Sequence, residues 1–240
     1  MSMAGNRMRY VFLVLLLGPS TLQAQPPRSD STRVPLIRTG ELIGITTAIG
    51  IGFALDGTVR GEAQEDRTNS SNNLARIGNG IGNPLYLGPA LGVTWAVGAL
   101  THNRGIRIAA QDAFAAGAIA SGLTGVIKVA FGRARPNALN GPGNFRPFSK
   151  NVSFPSGHTT LAMAVATSLA RSTKDGWSDV LFYSAALVTG YARINDDKHW
   201  LSDVIAGGAI GYLVGRQIHF RGTKITPVVG AGVVGGSVAF

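Results

Sequence analysis

The sequence contains no cysteine and few charged side chains. The absence of cysteine excludes a disulfide scaffold, a thiolate nucleophile and a cysteine-based zinc site. Charged residues make up 14% of the 240 residues, against roughly a quarter in an ordinary soluble domain, whereas 45% are apolar. The length suits one domain with a sizeable core. This composition favours an integral membrane protein, and a periplasmic protein built from tightly packed small residues is the alternative.

The basic excess points to anionic partners but not to nucleic acid. The net charge is +10, which suits lipid headgroups as well as polynucleotides. The basic residues are scattered between apolar runs and form no stripe interleaved with aromatic residues. The charge therefore predicts an anionic partner such as the headgroups of a membrane, and no nucleic acid.

Composition divides the chain into four segments. Residues 1–24 have the pattern of a secretory signal peptide, in which two arginines precede an apolar run too short to span a membrane. Residues 25–40 are polar and proline-rich, which is typical of a linker. Residues 41–219 form the predicted helical domain. Residues 220–240 are rich in glycine and β-branched residues, and this pattern predicts a small β-hairpin.

Six apolar stretches in the helical domain predict six helices. They cover residues 41–55, 85–100, 107–131, 157–170, 179–192 and 200–215. The polar segment between the first two is rich in asparagine and glycine and is predicted as turns, with room for a short surface helix. The first stretch is short and contains threonine, and we expect it not to cross the membrane. Many alanines and glycines permit close helix packing, so we expect an all-α six-helix bundle.

Three polar motifs interrupt the apolar stretches at the ends of predicted helices. Their residues are, in chain order, Lys128 and Arg135, then Ser156, Gly157 and His158, then Arg193, His199 and Asp203. Each motif alone is commonplace: a histidine four residues before an aspartate is usually an ordinary helix pair. The three together, in this order and at these spacings, predict one site.

The residue types in these motifs suit hydrolysis of a phosphate ester. Such a reaction needs a nucleophile, an acid for the leaving oxygen and donors for the phosphoryl oxygens. His199 and Asp203 lie on one helical face, so the carboxylate can accept the ring N–H and leave the other nitrogen free to attack phosphorus. His158 stands at a predicted helix start, where backbone N–H groups favour an anion.

The remaining motif residues suit an anion clamp. Lys128, Arg135 and Arg193 supply cations, and the arginines can bind oxygens in a bidentate manner. Ser156 adds a hydroxyl donor, and Gly157 permits close approach of the backbone to a phosphate.

The three motifs resemble the signature of the type 2 phosphatidic acid phosphatase (PAP2) superfamily. The resemblance spans residues 128–203, as Lys-x6-Arg-Pro, then Pro-Ser-Gly-His, then Arg-x5-His-x3-Asp. The family includes membrane lipid phosphatases, bacterial nonspecific acid phosphatases and vanadium haloperoxidases. The resemblance implies a six-helix core with the motifs at helix ends, and neither a metal ion nor another cofactor.

The resemblance also implies roles for the motif residues. His199 would be the nucleophile that forms a phosphohistidine, Asp203 its orienting partner and His158 the general acid. The residues implied to hold the phosphate are Lys128, Arg135, Ser156, Gly157 and Arg193. One departure is Ala192, where the family usually has serine, which predicts that one phosphate-side hydroxyl is missing. Other charges in the surrounding loops, Arg146, Lys150, Asp196 and Asp197, are interpreted as solvated.

These observations predict a metal-independent phosphatase acting on phosphatidic acid or an isoprenoid pyrophosphate, at the outer face of the bacterial inner membrane. A soluble periplasmic acid phosphatase of broad specificity is the first alternative, because several apolar stretches are short. A catalytically silent envelope scaffold is the second. A vanadate-dependent haloperoxidase fits less well, since that group is usually much larger.

Overall fold

The computed structural model describes residues 37–173 and 176–219 in full, and the backbone of residues 224–230 and 233–239. The predicted signal peptide and most of the predicted linker lie outside these residues. The described helices are α1 Thr39–Glu65, α2 Asn69–Ile81, α3 Pro84–Leu100, α4 Arg104–Phe131, α5 Gly157–Thr173, α6 Gly176–Asn195 and α7 Leu201–Gln217, with a 3-10 helix at Pro136–Ala138. Two strands, β1 Lys224–Gly230 and β2 Val233–Ala239, pair in antiparallel fashion.

The all-α class is confirmed, with one more helix than the six that were predicted. The added helix is α2, in the segment that was predicted as turns. Thr68 caps it by accepting a hydrogen bond from the Ser71 N–H at 3.1 Å, while the Ser71 hydroxyl accepts from the Thr68 N–H at 2.9 Å. Packing of α2 against α6 supplies the stability that its asparagines and glycines lack as helix formers.

Helix α5 lies at the centre and packs against α4, α6 and α7. The side chains buried along it are small, chiefly alanine, threonine and serine. Gly207, Gly211 and Gly215 of α7 line up against the α5 backbone, and a Cβ built on Gly211 would lie 2.4 Å from the Thr160 carbonyl oxygen. The predicted close approach of helices through small residues is therefore present between α5 and α7.

Helices α1 and α4 are long and apolar enough to cross a membrane. They contain 27 and 28 residues, and only 17% and 22% of their apolar windows are buried inside the molecule. A core helix of a soluble protein would be mostly buried, whereas most of the apolar side chains of α1 and α4 face outward from the described helices. The first apolar stretch is part of a longer helix, because α1 continues to Glu65 and is long enough to cross a membrane. That the stretch does not cross stays a prediction.

Candidate active site

All eight predicted site residues lie at one end of the helical bundle. Lys128 is in the last turn of α4, Ser156 precedes α5, and Gly157 and His158 begin α5. Arg193 is in the last turn of α6, His199 is in the α6–α7 connection and Asp203 is in the first turn of α7. Arg135 lies in the α4–α5 connection with an extended backbone, as a residue before proline prefers.

The α4–α5 connection folds back on itself and carries its residues into the site. Gly132 ends α4 in the left-handed region, with φ at 54°. A Cβ on Gly132 would lie 1.7 Å from the Arg146 carbonyl oxygen, so only glycine fits this turn. A β-bridge between Arg133 and Phe145 then closes the loop.

Backbone hydrogen bonds join the second motif to the third, and the Lys128 side chain brings the first motif to the second. The Ser156 N–H donates to the Asp203 carbonyl at 2.9 Å, and the His199 N–H donates to the Arg193 carbonyl at 3.1 Å. Lys128 Cε lies 3.6 Å from a Cβ built on Gly157. The structure therefore brings together groups that are up to 75 residues apart in the chain, from Lys128 to Asp203.

His199 and Asp203 form a buried pair. The distance from His199 Nδ1 to Asp203 Oδ2 is 3.4 Å, and their side chains are 3% and 0% exposed. Asp203 Oδ2 also accepts hydrogen bonds from the Ser153 hydroxyl at 2.5 Å and the Trp200 N–H at 3.0 Å. The carboxylate is thereby fixed beside Nδ1, which leaves His199 Nε2 as the ring nitrogen not engaged by Asp203.

Burial sets the protonation state of both histidines. It lowers the pKa of His199 to about 4, although the adjacent Asp203 acts in the opposite direction. Burial also lowers the pKa of His158 to about 4, and Arg193, Lys128 and Arg135 lower it further through their charges. Both imidazoles are therefore neutral at pH 7, and three cations act on the same histidine, which identifies a place where negative charge is favoured.

The two motif arginines retain unused donors. The Nε groups of Arg135 and Arg193 are buried without a hydrogen-bond partner. Arg193 Nη1 donates to Asn79 Oδ1, and Asn79 Nδ2 donates to Asp196 at 2.6 Å. A buried N–H without an acceptor is costly, so these donors fit a site that binds an anionic oxygen.

The other phosphate-site candidates are held by neighbouring groups. Lys128 Nζ donates to the carbonyls of Val152 and Ser153. The Ser156 hydroxyl lies 2.9 Å from that of Thr159 and is fully buried. The first turn of α5 therefore has its hydroxyls already ordered around the Gly157 backbone.

The PAP2 superfamily profile matches residues 110–224, a range that contains all eight site residues. Residues 110–224 of this chain belong to the PAP2 superfamily. Among curated relatives, a lipid A 1-phosphatase of Porphyromonas gingivalis is 38% identical over 101 residues, which is 41% of this chain and 20% of that protein. An undecaprenyl-diphosphatase of Bacillus subtilis is 31% identical over 104 residues, which is 40% of this chain and 52% of that protein.

Solved PAP2 structures share the fold. A transmembrane PAP2-type phosphatidylglycerolphosphate phosphatase of Bacillus subtilis aligns with a TM-score of 0.58 at 19% identity, covering 73% of this chain and 92% of that one. The LpxE protein of Aquifex aeolicus aligns with a TM-score of 0.51 at 21% identity, covering 68% and 93%. At these identities the likeness concerns the fold.

Several residues around the PAP2 site were missed or misread from the sequence. Asn79, Ser153 and Arg133 contact site residues, and of these only Arg133 had a signal, because it lies inside the first motif. Asp196 and Asp197 are not simply solvated, since Asp196 accepts from Asn79 and Asp197 pairs with Arg60 of α1 at 2.7 Å.

Ala192, where serine was expected, lies at the contact between α6 and α2. It is fully buried, and its Cβ is 3.0 Å from a Cβ built on Gly78 of α2. Its side chain therefore packs against α2, and a serine hydroxyl here would meet that helix.

Proposed function

We propose that this PAP2 protein is a metal-independent phosphatase of phosphorylated lipids that acts through a phosphohistidine on His199. The observation that carries the proposal is the combination of a neutral, carboxylate-oriented histidine with two buried arginine Nε groups that lack acceptors. The first supplies a nucleophile and the second a place for phosphoryl oxygens. His158 is the acid, and Lys128 completes the clamp.

In the first step His199 Nε2 attacks phosphorus and the bond from phosphorus to the lipid oxygen breaks. His158 gives its proton to that oxygen, so phosphatidic acid leaves as the neutral alcohol and an isoprenoid pyrophosphate leaves as its monophosphate. In the second step water attacks the phosphohistidine, His158 takes the proton of the water, and phosphate and neutral His199 are released.

Without bound substrate, His158 is unprotonated at neutral pH. Its low pKa comes first from burial and then from Arg193, Lys128 and Arg135. A bound phosphate dianion places negative charge against the same three cations and so raises the pKa of His158. Substrate binding would thus protonate the acid that the reaction needs.

Two features favour a lipid as the substrate. The outward apolar faces of α1 and α4 suit a bilayer. Two adjoining apolar cavities of about 390 and 250 Å³ lie between α3 and α4, and both are lined by Leu91 and Phe114; only the smaller one is also lined by α5. The smaller one reaches Leu161, three residues after His158 in α5. An acyl or prenyl chain would fit such a surface beside the catalytic end.

The test is phosphate release by the protein in detergent with EDTA present. The panel pairs phosphatidic acid and an isoprenoid pyrophosphate with a small aryl phosphate, and His199→Ala and His158→Ala are run alongside. We expect release from a lipid substrate that disappears in His199→Ala. Release only from the aryl phosphate would favour a soluble-type acid phosphatase, and no release from any substrate would leave a silent scaffold.

We further propose that the catalytic end lies outside the inner membrane. If α1 crosses the membrane, its start then lies on the cytoplasmic side. This orientation is an alternative to the predicted cleavage of residues 1–24, because cleavage would leave the start of α1 outside. The opposite end carries Arg104, Arg107, Arg171 and Arg216 at helix ends, and basic residues near helix ends are common on the cytoplasmic side of membrane proteins. The cysteine-free sequence allows a direct test. A membrane-impermeant maleimide applied to intact spheroplasts should label Asn140→Cys and spare Thr101→Cys; the reverse pattern would refute this orientation.

A further inference from the structure

Arg133 differs from the two motif arginines because all of its donors are occupied. Its side chain is 0% exposed. Nη1 donates to Asp203 Oδ1 at 2.6 Å and the Ser202 hydroxyl at 2.7 Å, and Nη2 donates to Asp56 Oδ2 at 2.6 Å and the Pro142 carbonyl at 2.7 Å. Nε donates to the same carbonyl at 3.0 Å. With five N–H groups used, Arg133 has none left for a phosphate.

Asp56 brings α1 into this network. It is 1% exposed, and its Oδ1 accepts from the Ser202 N–H at 2.8 Å, so it caps the start of α7 from another helix. Its Oδ2 accepts from the Ser202 hydroxyl at 2.7 Å as well as from Arg133. Gly52, one turn earlier, lets α1 approach this closely, since a Cβ there would lie 3.0 Å from Ser202 Cα.

We propose that Asp56 and Arg133 are positioning residues that hold Asp203 against His199. Together they also keep the negative charge of Asp203 available to offset a positive charge on the His199 ring. This proposal rests on the proposed function, and it extends the active centre to α1, which lies outside the matched residues 110–224. Neither residue touches the substrate.

The charges around His199 explain why Asp56 and Arg133 are both needed. His199 faces Asp203 of α7 and also Lys128 of α4 and Arg193 of α6, whose positive charges oppose an imidazolium. When His199 bonds to phosphorus its ring becomes positive, and Asp203 must offset that charge. Arg133 alone would neutralise Asp203. Asp56 balances Arg133, so the buried cluster of two carboxylates and one guanidinium keeps a net charge of −1.

The decisive variant is Asp56→Asn, which keeps the shape and removes the charge. We expect kcat to fall about 10- to 100-fold, as for a misplaced catalytic group, with KM changed less than about two-fold. We also expect the pKa of His199 to fall, because the buried cluster loses its net negative charge. The measurement is an NMR titration of the four histidines in detergent micelles, in which His199→Gln assigns the His199 signal. The matched control is Glu41→Gln, which breaks another ion pair between α1 and α7, with Arg216, at the opposite end; its kcat and His199 pKa should stay at wild-type values.

A double variant, Asp56→Asn with Arg133→Gln, separates charge from folding. It leaves no unpaired buried guanidinium and restores the cluster to −1, so the pKa of His199 should return toward the wild-type value. An Asp56→Asn protein that unfolds more readily but keeps wild-type kcat and His199 pKa would overturn the proposal, as would a double variant whose His199 pKa falls as well. Absence of phosphate release by the wild type would instead refute the proposed function, and the NMR titration would still decide the inference.

Discussion

The contact between α5 and α7 yields a quantitative prediction for Gly211. A Cβ at this position would lie 2.4 Å from the Thr160 carbonyl oxygen and 2.8 Å from the Ala164 nitrogen. Both are backbone atoms and cannot rotate away, so Gly211→Ala must push the helices apart by roughly 1 Å to restore ordinary contact. Overpacking of this kind costs about 1–3 kcal/mol.

Gly208→Ala is the matched control. It lies in the same helix, but a Cβ there meets only Met163 Cε at 3.9 Å. Both substitutions gain the same helix propensity of about 1 kcal/mol, so the difference between them isolates the steric cost. For a chain of this size, that cost corresponds to a melting temperature about 2–12 °C lower for Gly211→Ala than for Gly208→Ala.

The assay is thermal unfolding in detergent followed by the fluorescence of the three tryptophans, with phosphate release measured in parallel. Gly211→Ala should also lower kcat, because α5 carries His158 and α7 carries Asp203 at the same end. Equal melting temperatures for the two variants would refute the close contact between these helices.

Three further predictions concern the site. Burial lowers the pKa of His199 to about 4 from its ordinary 6.5, so the unfolded chain binds more protons between these values. The contribution of His199 to the free energy of unfolding is then fully present above pH 6.5 and falls by about 3 kcal/mol toward pH 4. His199→Gln should therefore make the decline less steep in urea unfolding, while His158, whose pKa is also about 4, still contributes. Asn79→Ala removes the acceptor that holds Arg193, a hydrogen bond worth about 1.5–3 kcal/mol. Because Arg193 is proposed to bind phosphoryl oxygens, inhibition by the phosphate analogue vanadate should weaken about ten-fold or more. The control Asn73→Ala, at an exposed position, should leave inhibition unchanged. Ala192→Ser should leave kcat/KM within about two-fold, because the side chain faces α2; a ten-fold rise would show that the hydroxyl reaches the phosphate.

The catalytic motif was predictable because its information is local. His199 and Asp203 are four residues apart, and His158 directly follows the glycine that begins α5. Such short spacings fix the relative positions of side chains within one helix or at its start, and these positions depend little on the rest of the fold. The apolar runs likewise located six helices, since burial in a bundle or in lipid requires continuous apolar faces.

Helix α2 and the far end of α1 were not predictable in the same way. Asparagine, serine and glycine in α2 favour turns when considered alone, and the contacts with α6 outweigh that preference. The second half of α1 carries Asp56 and Arg60, whose partners Arg133 and Asp197 are more than 70 residues distant. A lone charge in a sequence gives no indication of such a partner.

The sequence by itself predicted the helical class, the eight residues of the motifs and the phosphate chemistry that we propose for them, because residue type and short spacing carry this information. Only the tertiary structure decided that α1 and α2 complete the surroundings of the site. It also distinguished three arginines by their hydrogen bonds. All N–H groups of Arg133 donate to protein groups, whereas Arg135 and Arg193 each have a buried Nε without an acceptor. The physical reason is that hydrogen-bond satisfaction is a property of the folded chain, since each donor finds its acceptor in space and not along the sequence.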